Sequence, residues 1–459
     1  MKFHRWSGER FYHLLCVCLL VLTASASLWS GETSTRDAAG CDKVLASSAC
    51  GEAPHEPCEV PPCLLLTAGL RRDELWPQLE PLIPSLTLSA VPGQMKPTAN
   101  KSLWSGTSYL LHSLNDHGIS FQGTFVNDWS KDLRGKVDPS LGYGRQSFDL
   151  VSSIDGKKAF GWNGSTVLIR LKQHSREFGR SDDGAAQVYS NIDAPSKTML
   201  YEFWLEQKLW SEKLRIKGGK IDANTEFATV QSAGDFLNSS MGFSPTIMAF
   251  PTYPSPRLAV LAVLHPTTSG SVGFGVFQTD GKGRLSVLEP GKTWTISGKK
   301  ELPGRVSVGY WRLDATAIPH FDGRAAGSTQ GYYAVLEQAL WRNSLSARKE
   351  QRWSMFFQFG QADGQVSQLT KHVGGGATLQ APLARRSQDS LGFAFTRVAF
   401  TSAPGTGNFT SELVLEGYYK VAIAKHVALV QDFQFLHHPG GLSSNPDCPI
   451  LTPRLVVSF

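Results

Sequence analysis

The sequence predicts an all-β chain: a transmembrane antiparallel β-barrel, expected to have sixteen strands, behind a short Cys/Pro-rich N-terminal appendage. Three features lead there. About fifteen runs alternate apolar and polar residues, the signature of strands with one greasy and one wet face. Beyond residue 26 no stretch holds the ~18 consecutive apolar residues of a membrane helix. The final run ends the chain on an aromatic, Phe459.

The N-terminus reads as an export signal over 1–26. Lys2, Arg5 and Arg10 make a positive start, 11–22 is apolar, and Ala24-Ser25-Ala26 offers a small-residue cleavage site. Residues 27–105 do not alternate and are rich in Pro, Ser and Ala, as expected of a periplasmic appendage or linker. Cys41, Cys50, Cys58 and Cys63 lie there, and an exported chain meets an oxidising compartment, so two disulfides are the expected use. Three pairings are open. A four-cysteine zinc site fits less well, because Cys41 and Cys50 are too far apart for a half-site. Cys448 is expected in a loop and outside any disulfide.

The barrel domain is expected over 106–459. Strand-like runs occupy 119–126, 146–153, 166–173, 200–209, 212–221, 257–264, 271–278, 305–313, 331–341, 352–360, the neighbourhood of Thr378, 391–400, 412–421, 427–436 and the last residues to Phe459. Bacterial barrels close with an even number, so one more strand is expected between Thr279 and Gly304. A soluble sandwich also alternates, but rarely needs so many strands.

The faces sort by chemistry. Leu413, Leu415, Tyr419 and Val421 oppose Glu412, Val414, Glu416, Tyr418 and Lys420. Leu429, Phe433 and Phe435 alternate with Asp432 and Gln434, and Leu451, Leu455, Val457 and Phe459 with Thr452, Arg454 and Ser458. Tyr201, Phe203 and Leu205 form an expected outer row against Glu202, Trp204, Glu206 and Lys208; Trp353, Met355, Phe357 and Phe359 form another. A cation at the bilayer midplane costs roughly 2–4 kcal/mol, so the charged rows are expected to line water. Trp210, Trp311, Trp341 and Tyr419 suit interfacial girdles. Long connections at 129–144, 174–196 and 222–256 alternate with tight ones, as on the outer and periplasmic sides of such barrels.

Several segments resemble one family, the carbohydrate-selective porins of the OprB family. Leu114-Asn115-Asp116-His117-Gly118-Ile119 with Phe121-Gln122-Gly123 resembles its opening strand, and Gly161-Trp162-Asn163-Gly164 a following turn. Residues 200–228 resemble its most recognisable block, a strand ending Glu206-Gln207 and a hairpin; Asn238-Ser239-Ser240, Tyr253-Pro254-Ser255-Pro256 and Leu336-Glu337-Gln338 follow in order. Glu416-Gly417-Tyr418-Tyr419 and 431–441 resemble its closing hairpin, with Gln431 where a proline is common. The appendage has no counterpart in the resemblance.

The resemblance implies a monomeric sixteen-stranded pore in the outer membrane of a Gram-negative-type bacterium, passing glucose and similar small sugars by passive diffusion. A porin for ions or phosphate is the main alternative, and a non-transporting adhesin the next. Candidate lining residues, from the alternation, are Glu202, Glu206, Lys208, Arg215, Lys217, Glu412, Glu416, Asp432 and Arg454, with Trp204 offering a ring face to a pyranose. Expected partners are sugars in transit, membrane lipids and the barrel assembly machinery, the last through the strand ending at Phe459.

Other classes find little support. No basic cluster with interleaved aromatics suggests nucleic acid. No G-x-S-x-G elbow is present, adjacent His437 and His438 point apart on an extended chain, and the Gly374-Gly375-Gly376 run lacks the lysine of a phosphate loop. Neither enzyme activity nor a cofactor or metal is expected.

Overall fold

A computed structural model describes residues 112–134, 142–177, 184–279, 283–298, 301–346, 349–403 and 409–459. The export segment 1–26, the appendage 27–105 and its four cysteines lie outside the described residues.

The chain closes a sixteen-stranded antiparallel barrel in which every strand pairs with its sequence neighbours and the first pairs with the last. The first eight strands are β1 (Ile119–Asp132), β2 (Gly142–Asp155), β3 (Ser165–Glu177), β4 (Lys197–Leu209), β5 (Leu214–Ile221), β6 (Arg257–Leu264), β7 (Gly270–Gln278) and β8 (Arg284–Ile296). The rest are β9 (Leu302–Pro319), β10 (Ala325–Ser346), β11 (Lys349–Ala362), β12 (Leu369–Gln380), β13 (Ser390–Phe400), β14 (Ser411–Ala424), β15 (Val427–His437) and β16 (Cys448–Ser458). The strand expected between Thr279 and Gly304 is β8; Pro290 and Gly291 interrupt its pattern. Among the described residues no helix is long and apolar enough to cross a membrane.

Alternation survives in most strands. Leu415, Phe433, Phe393, Trp353, Met355 and Phe357 are exposed on the outer face, while Glu412, Glu416, Asp432, Ser354 and Gln358 are buried on the inner. The N–H of Phe459 donates to the Gly123 carbonyl at 3.0 Å, and the Gly123 N–H donates back at 2.8 Å, closing the seam between β1 and β16.

Three expectations need correction. Tyr201 faces inward and is buried, because a register shift between Arg170 and Leu171 inserts one extra residue in β4. The outer row there is Leu200, Phe203 and Leu205. Trp311 is not in a girdle: its neighbour Tyr310 takes the outer side, and Trp311 is buried inside against Gly331. Cys448 opens β16 rather than lying in a loop, and packs in the interior with Tyr189, Leu436 and Ile450.

The interior is not an open cylinder. Residues 184–196 and 222–256, the connections leading into β4 and β6, fold inward and pack on the inner wall. Phe236, Leu237 and Met241 bury against Val335, Phe356, Val414, Tyr418 and Val430. Phe227, Ile247 and Phe250 bury against Phe277, Val287, Trp311 and Tyr333. Each buried side chain of this size contributes about 1.5–3 kcal/mol. Phe227 lies flat because Gly273 and Gly275 face it: a Cβ on either would stand 2.9 or 2.8 Å from the ring.

Candidate pore constriction

Carboxylates on the inner wall hold the inward loops by their backbone amides. Glu412 accepts from the N–H groups of Ala186 and Gln187 at 2.8 Å each, and of Gly440 at 2.6 Å. Glu416 accepts from Leu237 at 2.5 Å and from Asn238 at 3.2 Å. Glu337 accepts from Gln231 at 3.2 Å and Ser232 at 2.6 Å, and Glu289 from Ala228 at 2.8 Å. Turn backbones otherwise carry unpaired donors, and an anion satisfies several at once. Glu412 and Glu416 are therefore buried under loop backbone, not turned to water.

The other candidates fall into three groups. Asp432 is fully buried and accepts from the Gln434 amide at 2.9 Å. Arg454 grips Asp128 with two bonds, of 2.6 and 2.7 Å, and donates to Asn191 of the inward loop at 2.8 Å. Lys208 lies near the tight turn into β5, 3.4 Å from Glu212.

The hairpin of β4 and β5 brings the third group together. Arg215 bridges Glu206 at 3.0 Å and Glu226, from the inward loop, at 2.7 Å. Lys217 reaches the same two carboxylates at 3.4 and 2.5 Å, with its ammonium 3.6 Å from the centre of the Trp204 ring. One ring face of Trp204 is thus occupied. Glu202 pairs with Arg170 at 3.2 Å and accepts from the Asp222 amide at 3.1 Å. Burial alone would push the Glu226 carboxyl up, but Lys217 and Arg215 outweigh it and hold the group below its ordinary value. At the loop mouth, burial with the Asp193 and Asp149 carboxylates raises the Tyr253 phenol.

A common design emerges. In the pairs Arg170–Glu202, Arg215–Glu206 and Arg305–Glu337, the carboxylate is the better-buried member. The cations keep about a quarter of their surface open, with side-chain exposures of 25%, 24% and 25%. Arg170, Arg305, Glu226 and Glu337 were absent from the sequence-derived candidates. Glu337 had a signal: Glu206-Gln207 and Glu337-Gln338 are the same dipeptide, used the same way. Each Glu points inward to an Arg, and each Gln Nε2 donates to the carbonyl of the residue after it, Lys208 or Ala339.

Below the helical turn Gln231–Ala233, toward the tight-turn end, a cavity of about 620 Å³ opens between β8 and β11, lined in part by Thr293, Arg305, Glu337, Arg352 and Ser354. A smaller one of about 250 Å³ shares Arg352 and Ser354 and adds Asp235, Thr378 and Gln380.

Comparison with known proteins decides the family. The sequence family described as carbohydrate-selective porin, OprB family, matches residues 142–459, well over half of the chain. The chain belongs to the OprB family of carbohydrate-selective porins. The match begins at β2, although β1 is needed to close the barrel. In fold, this OprB-family chain is similar to Pseudomonas putida OprB at high pH: TM-score 0.68, 18% identity, covering 78% of this chain and 97% of that one. The low-pH structure of the same P. putida protein gives TM-score 0.53 with the same identity and coverage. No curated protein sequence matches the chain. OprB membership and the barrel together support a sugar porin and imply an outer-membrane protein of Gram-negative bacteria. Proteins of this family and fold are typically non-enzymatic channels.

Proposed function

We propose that the chain is a monomeric pore for passive diffusion of glucose and similar small sugars. The observation that carries this reading is the pairing of partly exposed arginines with sunken carboxylates. Arg170, Arg215 and Arg305 offer hydrogen-bond donors to a passing hydroxyl, while Glu202, Glu206 and Glu337 cancel their charge from behind. A polar but compensated surface lets a sugar exchange water for protein without being held. The inward loops narrow the route. On this reading Glu412, Glu416, Asp432 and Arg454 act indirectly, by fixing those loops, while Arg215, Lys208 and the open face of Trp204 meet the solute, with Glu206 and Lys217 buried behind them. The Phe459 strand supplies the handle for barrel assembly, and the outer apolar rows meet lipid.

Liposome swelling with purified, folded chain tests this. Glucose and other monosaccharides are expected to enter faster than disaccharides of the same osmolarity. Swelling that follows solute charge alone would favour an ion or phosphate pore, and no swelling a closed adhesin.

A further inference from the structure

The cavity under Gln231–Ala233 carries a charge that the neutral-sugar reading does not use. Its acids are already satisfied. Glu337 is taken by Arg305 and by the Gln231 and Ser232 amides. Asp235 is taken by Lys420 at 2.6 Å and by the Ser390 hydroxyl at 2.7 Å. The cross-strand neighbour Arg342 is paired with Glu350 at 2.6 Å. Arg352 stands apart. It is exposed to the interior, lines both cavities, and has no hydrogen-bond or ion-pair partner among the described residues. Facing it are the Ser354 and Thr378 hydroxyls and the Gln380 amide from its own and the next strand, and Gln231 and Ser232 from the loop. Of the charged side chains that line the two cavities, Arg352 is thus the one without an ion-pair partner among the described residues.

A guanidinium is a planar fork that matches a carboxylate with two parallel charge-assisted bonds, whereas a neutral hydroxyl offers a single oxygen and no charge. Hydroxyls and amides beside it suit the remaining polyol. The volume of about 620 Å³ lies within the ~300–1,000 Å³ of small-molecule sites. We propose that this cavity is a subsite for sugars bearing a carboxylate, aldonates or uronates, with Arg352 taking the carboxylate and Ser354, Ser232 and Thr293 the hydroxyls. The inference rests on the sugar-pore reading and extends its substrate class to acidic sugars.

Uptake of gluconate and of glucose into the same liposomes, carrying the full chain, tests it. In Arg352→Gln, gluconate uptake is expected to fall about fivefold, as for loss of a charge-assisted pair, with glucose within about twofold. Arg352→Lys is expected to lie between, since a point charge replaces a fork. In the unaltered chain, gluconate is expected to slow glucose entry more than inorganic phosphate does at equal concentration; this competition needs no variant, so it decides the matter even if a substituted chain fails to fold. Equal loss for both solutes, no loss for either, or phosphate competing as well as gluconate would overturn the proposal. Failure of glucose to enter the unaltered chain would instead overturn the sugar-pore reading, and the two failures are told apart in one vesicle preparation.

Discussion

The Glu412 carboxylate accepts the Gly440 amide at 2.6 Å, and so joins the β15–β16 connection to the 184–196 loop, whose Ala186 and Gln187 amides it also accepts. Three donors from two loops converge on one side chain. Glu412→Ala leaves all of them unsatisfied, at about 1–3 kcal/mol each where water cannot enter. Single-channel recordings are expected to show larger, noisier conductance with the barrel still folded. Glu412→Gln keeps an acceptor and is expected to lose less. Unchanged recordings from both would show that the loop is fixed elsewhere.

Glu206 and Arg215 meet at 3.0 Å on the lumen side of the β4–β5 hairpin. Either replaced by alanine is expected to change sugar flux or conductance without loss of folding, because the outer row and backbone pairing are untouched. Arg215→Ala also leaves the two acids Glu206 and Glu226 sharing Lys217 alone, and should raise cation selectivity, read as a shifted reversal potential in a salt gradient.

Glu226 gives a pH dependence. Burial raises its carboxyl, but the attraction of Lys217 and Arg215 exceeds that cost and holds it below the ordinary 4.5. The stability it contributes is complete above the unfolded value and disappears as pH falls through the lower folded value. Glu226→Gln is expected to lower the Tm of purified protein at neutral pH. The gap to the unaltered chain should begin to shrink near pH 4.5 and close only as pH falls through the lower folded value. A gap that closes near neutrality would contradict this pairing.

Phe236 packs edge-on against Tyr418 at 4.8 Å and against Phe356 at 5.8 Å. Phe236→Ala is expected to cost about 3–5 kcal/mol locally. The cost falls on loop against wall, so faster proteolysis within 222–256 is the expected reading, with the barrel's gel mobility retained.

A Cβ on Gly123 would collide with the Phe459 ring. Gly123→Val must therefore displace the ring at the seam. Slower closure is expected, seen as a larger unfolded fraction in unheated samples, with sugar preference unchanged. Equal folding yields would show that the ring is dispensable there.

The wall was legible in the sequence because lipid and interior impose opposite chemistry on successive residues. Leu413 to Val421 shows it plainly. Strand β8 hid because Pro290, Gly291 and Lys292 break the apolar row. Tyr201 was misassigned because its face depends on a bulge, and a one-residue insertion leaves no local mark. The attachments of the inward loops to the wall were not legible. Glu416 and Leu237 are 179 residues apart, and nothing in either segment names the other. What could be read was the repeated Glu-Gln, whose inward Glu and outward Gln recur in β4 and β10.

Glu412, Glu416, Glu337 and Glu289 all grasp main-chain amides. A clasp of that kind is indifferent to which side chain the grasped residue bears, proline excepted. Gln231 and Ser232, whose side chains stay out of the packed core, can be rewritten at those contacts without loosening the attachment. The lumen's selectivity can thus diverge, in evolution or by engineering, on an unchanged cylinder.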